Sequence, residues 1–236
     1  MDQNYQGDLS LNPHNVKNTN SFIYLHGFAS GPQSAKANYL VDKFAELQIK
    51  LETPDLNQND FSHLTLTRQI QQVVALFPPN HKPVTLIGSS FGGLTTAWLG
   101  CQNSNLISVH PQINKIVLLA PAFQFLDHWL TKLGDAGLNQ WEKQGYLSVY
   151  HHQKQDYTPI NYQFLLDLKI YDENLLNNPV PTLIFHGLND DVIPIQSSRN
   201  FATNRPWVKL IELDSDHSLV NVMAQIWEEI YNFCEL

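Results

Sequence analysis

Short apolar runs rich in β-branched residues recur along the chain, and most are followed by segments whose apolar positions repeat at helical spacing. Ser21-Phe22-Ile23-Tyr24-Leu25 is the first run and residues 49–53 the second. Pro83-Val84-Thr85-Leu86-Ile87, then residues 113–119, 180–185 and 208–213, complete the series. These runs are too short for helices and rich in Val, Ile and Leu, as expected of a parallel sheet covered on both faces. Tyr39, Leu40, Phe44 and Leu47 mark a helix over about 34–48. Leu66, Ile70, Val73, Val74 and Phe77 share one face of a second, predicted over 64–77 and stopped by Pro78-Pro79. Gly93 to Leu99 reads as a third helix, and Val222, Ile226, Ile230 and Phe233 as the inner face of a last one, over 218–233. The pattern predicts an α/β fold with a mostly parallel central sheet covered by helices on both faces.

One section breaks the alternation. Residues 122–178 contain no clean strand–helix unit but many aromatics, among them Phe123, Phe125, Trp129, Trp141, Tyr150 and Phe164. Leu126, Trp129, Leu130 and Leu133 predict an amphipathic helix ended by Gly134 or Gly137, and residues 145–150 a small hairpin with 157–162. Two readings stand: a sheet-covering helix with long loops, or a cap roofing a pocket. The expected organisation is a flexible polar tail at 1–20, a core made of 21–121 and 179–236, and a cap-like insertion at 122–178.

The strand ending at Ile87 runs into Gly88-Ser89-Ser90-Phe91-Gly92 and then a helix. Strand, G-x-S-x-G, helix is the context of a nucleophile elbow, in which the flanking glycines admit a turn too tight for a Cβ. Ser90 is the candidate nucleophile, and the Phe91 N–H at the helix start is a candidate oxyanion donor. A phosphate loop would need Gly-Lys-Ser/Thr or G-x-G-x-x-G, and neither occurs here. A serine hydroxyl needs a base, and the base an orienting acid, in the order Ser, acid, His along such chains. The fifth run ends in His186-Gly187-Leu188-Asn189-Asp190-Asp191 and the sixth in Asp214-Ser215-Asp216-His217-Ser218. His217 is therefore the candidate base. Its rival His186, at a strand end before Gly, is expected to pack beneath the loop. The second oxyanion donor falls in the loop after the first strand, at the Phe28 N–H, with His26 holding that loop by hydrogen bonds.

Charge and composition narrow the partners. A net charge of -8 over 236 residues argues against nucleic acid or an anionic membrane surface. No apolar stretch reaches the length of a membrane span, and the Asn-rich start lacks the pattern of a signal peptide. Cys101 and Cys234 fit buried free thiols in a reducing, cytoplasmic setting, and the ten histidines lack metal-ligand spacing, so no metal is expected.

Tyr24-Leu25-His26-Gly27-Phe28, Gly31-Pro32-Gln33-Ser34-Ala35-Lys36-Ala37, Gly88-Ser89-Ser90-Phe91-Gly92-Gly93, His186-Gly187-Leu188-Asn189-Asp190 and His217 together carry a resemblance. The chain resembles the α/β-hydrolase fold serine hydrolases, specifically the small bacterial YqiA/YcfP-like esterase family, over about residues 21–120 and 180–236. The resemblance implies esterase activity on acyl esters without a cofactor. It also implies Asp190 rather than Asp191 as the acid, because related hydrolases hold theirs at that spacing after the glycine. Asp216 departs from the wider pattern, as a carboxylate beside His217 positioned to raise its pKa. Lys36 is left open between orienting the oxyanion loop and simple solvation. The expected substrate is a small-molecule carboxylic ester or thioester with a short-to-medium apolar acyl group. The alternatives are a catalytically silent protein that binds a small apolar ligand, and an acyltransferase using the same residues.

Overall fold

The computed structural model describes residues 20–79, 81–102 and 110–236. The expected tail lies outside the described residues, except for Asn20 at its end. Six strands form one parallel sheet: β1 (Ser21–Leu25), β2 (Leu51–Glu52), β3 (Val84–Ser89), β4 (Ile113–Leu119), β7 (Thr182–Gly187) and β8 (Val208–Leu213), in the order β2-β1-β3-β4-β7-β8. β5 (Tyr146–His151) and β6 (Asp156–Asn161) form a separate antiparallel hairpin, close to the one expected from the sequence.

The inner strands β1, β3, β4 and β7 are mostly apolar and buried because both faces are covered, whereas the edge strands β2 and β8 carry exposed Glu52, Lys209 and Glu212. In β1, Phe22 and Tyr24 enter one core and Ile23 and Leu25 the other. The first core holds Phe44 of helix α1 (Ala35–Glu46) and Ile226 and Ile230 of α7 (Met223–Cys234). The second holds Ile70 of α2 (Leu66–Val74), Trp98 of α3 (Phe91–Cys101) and Phe201 of α6 (Ile195–Ala202). α1 and α2 begin with side-chain caps, Ser34 accepting from the Ala37 N–H and Thr65 from the Arg68 N–H. Cys101 and Cys234 are free and buried, and burial pushes both thiols up to about 12. Among the described residues no helix is long and apolar enough to cross a membrane.

The last helix corrects the sequence expectation. It starts at Met223 rather than Ser218, because Leu219 adopts a left-handed backbone (φ 56°) and only a 3₁₀ turn, Val220–Val222, separates it from the helix.

Between β4 and β7, residues 122–178 carry α4 (Phe125–Gln144), the β5–β6 hairpin and α5 (Gln163–Leu168). Gly134 (φ 67°, ψ 170°) breaks α4 where an end was expected, yet helix resumes beyond it to Gln144. Leu138 and Trp141 explain the restart, since both pack against the core and the Trp141 indole donates to the Ile160 carbonyl at 3.1 Å. α5 was not foreseen. Phe164, Leu165 and Leu168 bury its inner face, and the Asp167 carboxylate accepts from the Thr67 N–H and hydroxyl on α2. Aromatic packing binds the segment to the loop after β1: the Phe28 ring lies 5.4–5.8 Å from those of Phe125, Trp129 and Phe164.

Two elbow glycines bring β3, α3 and β1 closer than side chains allow. A Cβ on Gly88 would overlap the Gly92 carbonyl and the Thr96 hydroxyl, and one on Gly92 would overlap the Leu25 carbonyl. Gly92→Ala should therefore lower stability by about 1–3 kcal/mol, the typical range for overpacking, or more, since the obstacle is backbone. Urea denaturation monitored by tryptophan fluorescence measures this, and a midpoint equal to wild type contradicts so close an approach.

Candidate active site

The site sits at the C-terminal edge of the sheet, where β1, β3, β7 and β8 each end in a loop. Ser90 follows β3 with φ 53° and ψ −119°, a backbone that a non-glycine residue holds only when its surroundings impose it. Its N–H donates to the Leu119 carbonyl at 2.9 Å, while its own carbonyl accepts from Leu94 and Ala122. The turn is thereby fixed from both sides, and the side chain projects into a cavity of about 420 Å³.

His217 and Asp190 meet it there. Ser90 Oγ lies 3.0 Å from His217 Nε2, and His217 Nδ1 lies 2.7 Å from Asp190 Oδ2. The carboxylate faces Nδ1, so that nitrogen carries the imidazole proton and Nε2 is free to accept from the serine hydroxyl. Gly187 permits the approach of β7 to the histidine loop, since a Cβ there would overlap the Ser215 and Asp216 carbonyls.

The Asp190 side chain is fully buried, and each of its oxygens is occupied. Oδ1 accepts from the N–H groups of Val192 (2.9 Å) and Ile193 (2.8 Å). Oδ2 faces His217 and also His186 Nε2, at 3.1 Å. His186 Nε2 stands 2.9 Å from the Ile193 carbonyl as well, so it must be the protonated nitrogen, leaving Nδ1 to accept from the Ser198 hydroxyl at 2.7 Å. Burial would raise the Asp190 pKa, but hydrogen bonds from His186 and His217 outweigh it and hold the carboxyl well below the usual range. His186 does lie beneath the loop, as expected from its position. Sequence spacing gave no sign that it would also touch the acid. Asp191 is exposed.

Phe91 opens α3, so its N–H has no carbonyl one turn back in the helix. Phe28 lines the same cavity, and Gly27 brings its loop against Ser90, with a Cβ there falling 3.1 Å from Ser90 Cβ. His26 holds this loop: its Nδ1 donates to the Gly27 carbonyl at 2.9 Å, and its Nε2 accepts the Leu56 N–H at 2.9 Å. Asp216 does not turn toward the imidazole. Its carboxylate accepts from the N–H and hydroxyl of Ser218, a local turn that draws it away. Lys36 takes neither position expected of it, because its ammonium donates to the carbonyls of His217 (3.4 Å) and Ser218 (2.9 Å).

A family model matches residues 21–235. The chain belongs to the uncharacterised protein family UPF0227. No curated protein matches it in sequence. Among solved structures it is similar to Est1E from Butyrivibrio proteoclasticus bound to ferulic acid, at 16% identity, with 94% of this chain and 90% of that one covered and a TM-score of 0.74. It is similar to mouse alpha/beta hydrolase domain-containing protein 10 at 19% identity, covering 90% of each chain, with a TM-score of 0.67. A pyrethroid hydrolase from Sphingobium faniae JZ-2 aligns at 17% identity over 92% of this chain and 98% of its own, with a TM-score of 0.63. At these identities the likeness shows the fold alone: the UPF0227 chain has the α/β-hydrolase fold.

In this UPF0227 protein the depressed Asp190 pKa carries a stability consequence. Between its folded value and the ordinary carboxylate value of about 3.9, the unfolded chain binds more protons, so stability rises with pH across that window. The contribution is fully present above it and lost on acidification through it. Wild-type Tm should fall more steeply than that of Asp190→Asn between about pH 5 and pH 3. Calorimetry across that range tests this, and parallel Tm curves contradict it.

Proposed function

We propose that this UPF0227 protein is a cofactor-free serine hydrolase of carboxylic esters, thioesters included, with short-to-medium apolar acyl groups. The observation that carries this reading is the unbroken relay Ser90–His217–Asp190 opening into a cavity. His217 Nε2 takes the hydroxyl proton as Ser90 Oγ attacks the acyl carbon. The carbonyl oxygen becomes an oxyanion facing the Phe28 and Phe91 N–H groups. When the acyl–oxygen or acyl–sulfur bond breaks, His217 returns its proton to the leaving group, and the acyl group stays on Ser90. Water then repeats the sequence, giving its proton to His217 and its oxygen to the acyl carbon, and Ser90 recovers the proton. Asp190 remains ionised throughout, holding the imidazole tautomer and offsetting the imidazolium charge.

Residues 122–178 act as the cap in this reading. Phe125 and the hairpin residues Tyr150 and His152 wall the cavity beside Phe28, and the His152 N–H donates to the Ala29 carbonyl at 2.8 Å. Phe28, Phe125, Val192 and Ile193 give the acyl group an apolar berth within the cavity of about 420 Å³.

Treatment with a fluorophosphonate followed by peptide mass mapping should place the adduct on Ser90. Ser90→Ala should cut ester turnover by about a thousandfold or more without loss of fold. Asp190→Asn should cost about three to four powers of ten, and Asp191→Asn little. An adduct on Ser89, with Ser90→Ala still active, overturns the assignment. A severe loss in Asp191→Asn alone reverses the choice of acid.

Acyl length supplies a separate check. Each buried CH₂ contributes about 0.8 kcal/mol until the wall is reached, so kcat/KM over a series of aryl esters should climb and then fall. A profile still rising at long-chain esters contradicts a closed cap.

A further inference from the structure

The cavity around Ser90 has two unlike walls. One is apolar and comprises Phe28, Phe125, Val192 and Ile193. The other gathers Tyr24 from β1, Ser34 and Lys36 from the start of α1, and Ser89 from β3. Nothing in the proposed ester chemistry uses this second wall.

Its polar groups have capacity to spare. Tyr24 is 1% exposed, and its hydroxyl makes no hydrogen bond of good geometry, although the Ser34 and Ser89 hydroxyls lie beside it. A buried phenol O–H left in that state costs free energy that a ligand oxygen would recover. Burial raises the phenol to about 12, so it stays a neutral donor. The Lys36 ammonium has three N–H donors, of which the His217 and Ser218 carbonyls take two. Burial lowers it to about 8, against the pull of Asp190 and Asp216, so the cation is held short of full stabilisation by its surroundings. Ser34 caps α1, placing the positive end of a 12-residue helix at the same wall. Hydroxyl donors, an ammonium and a helix N-terminus facing one cavity suit an anionic oxygen group.

We propose that the wall formed by Tyr24, Ser34, Lys36 and Ser89 binds a carboxylate on the alcohol side of the substrate, while the acyl group lies against the apolar wall. The inference rests on the serine hydrolase reading and narrows its substrate class to esters whose leaving alcohol is anionic. It also gives the Ser34-Ala35-Lys36 stretch a role in specificity.

The test pairs two esters with the same acyl group, para-carboxyphenyl butanoate and its neutral analogue para-carbamoylphenyl butanoate, assayed on the full-length protein. Wild type should prefer the carboxylate by about ten- to a hundredfold in kcat/KM, the span expected for a charge-assisted contact. Lys36→Met should lower that ratio at least about tenfold, with the change in KM rather than kcat, and Lys36→Arg should retain part of it. Tyr24→Phe, which leaves the ring packing in place, should lower the ratio severalfold and guards against a folding defect in the Lys36 variants. A wild-type ratio near unity overturns the proposal. Equal losses on both esters in Lys36→Met, carried by kcat, also overturn it and assign Lys36 to holding the His217 loop alone. If fluorophosphonate fails to label wild-type Ser90, the hydrolase reading falls and this one with it; labelling without a carboxylate preference overturns this one alone.

Discussion

The carboxylate of Asp190 is the fixed point of the site. An ionised acid removed from water is tolerated only when its lone pairs are met, and here both oxygens are. The Val192 and Ile193 N–H groups hold one of them. The other receives His217 and His186. His186 is in turn set by the Ser198 hydroxyl of α6 and the Ile193 carbonyl, so the acid is referenced to β7, to its own loop and to the following helix. The imidazole orientation at Ser90 inherits that rigidity.

The rest of the architecture delivers the partners to this point. A parallel sheet puts the C-terminal ends of all its strands on one edge, so loops after β1, β3, β7 and β8 converge without any long excursion. Close backbone approaches at Gly27, Gly88, Gly92 and Gly187 remove the last ångströms. The Ser90 backbone is held in an unfavourable conformation by hydrogen bonds to β4 and the residues after it, strain that the two cores on either side of the sheet are large enough to support.

Much of this was legible in the chain. Apolar runs located the inner strands β1, β3, β4 and β7, because burial on both faces leaves few polar positions to confuse the pattern, and the edge strands β2 and β8 showed through Val, Ile and Leu alternating with charged residues. The elbow was legible because its glycines answer to local geometry, and His217 because it stands in the loop before the last helix. What escaped depends on contacts between residues far apart in sequence. Lys36 reaches carbonyls 181 and 182 residues away, so its bonding to the His217 loop had no local signal. α5 is six residues long, too short for periodicity to separate from a loop. α4 was expected to end near its glycines, but burial of Trp141 outweighs the break at Gly134. His186 was expected to pack beneath the loop and is buried there, yet its bond to Asp190, four residues on, depends on how the intervening turn closes and was not foreseen.

The central claim is that an acyl group passes through covalent attachment to Ser90. Rapid-quench mass spectrometry with an activated aryl ester addresses it directly, following aryl alcohol release and protein mass together. The account predicts a release burst that approaches one equivalent per chain, with a matching acyl mass increment that maps to the Ser90 peptide and decays at the steady-state rate. Steady turnover with no burst and no acyl adduct at any time, under conditions where deacylation is slowed by a bulky acyl group, contradicts it.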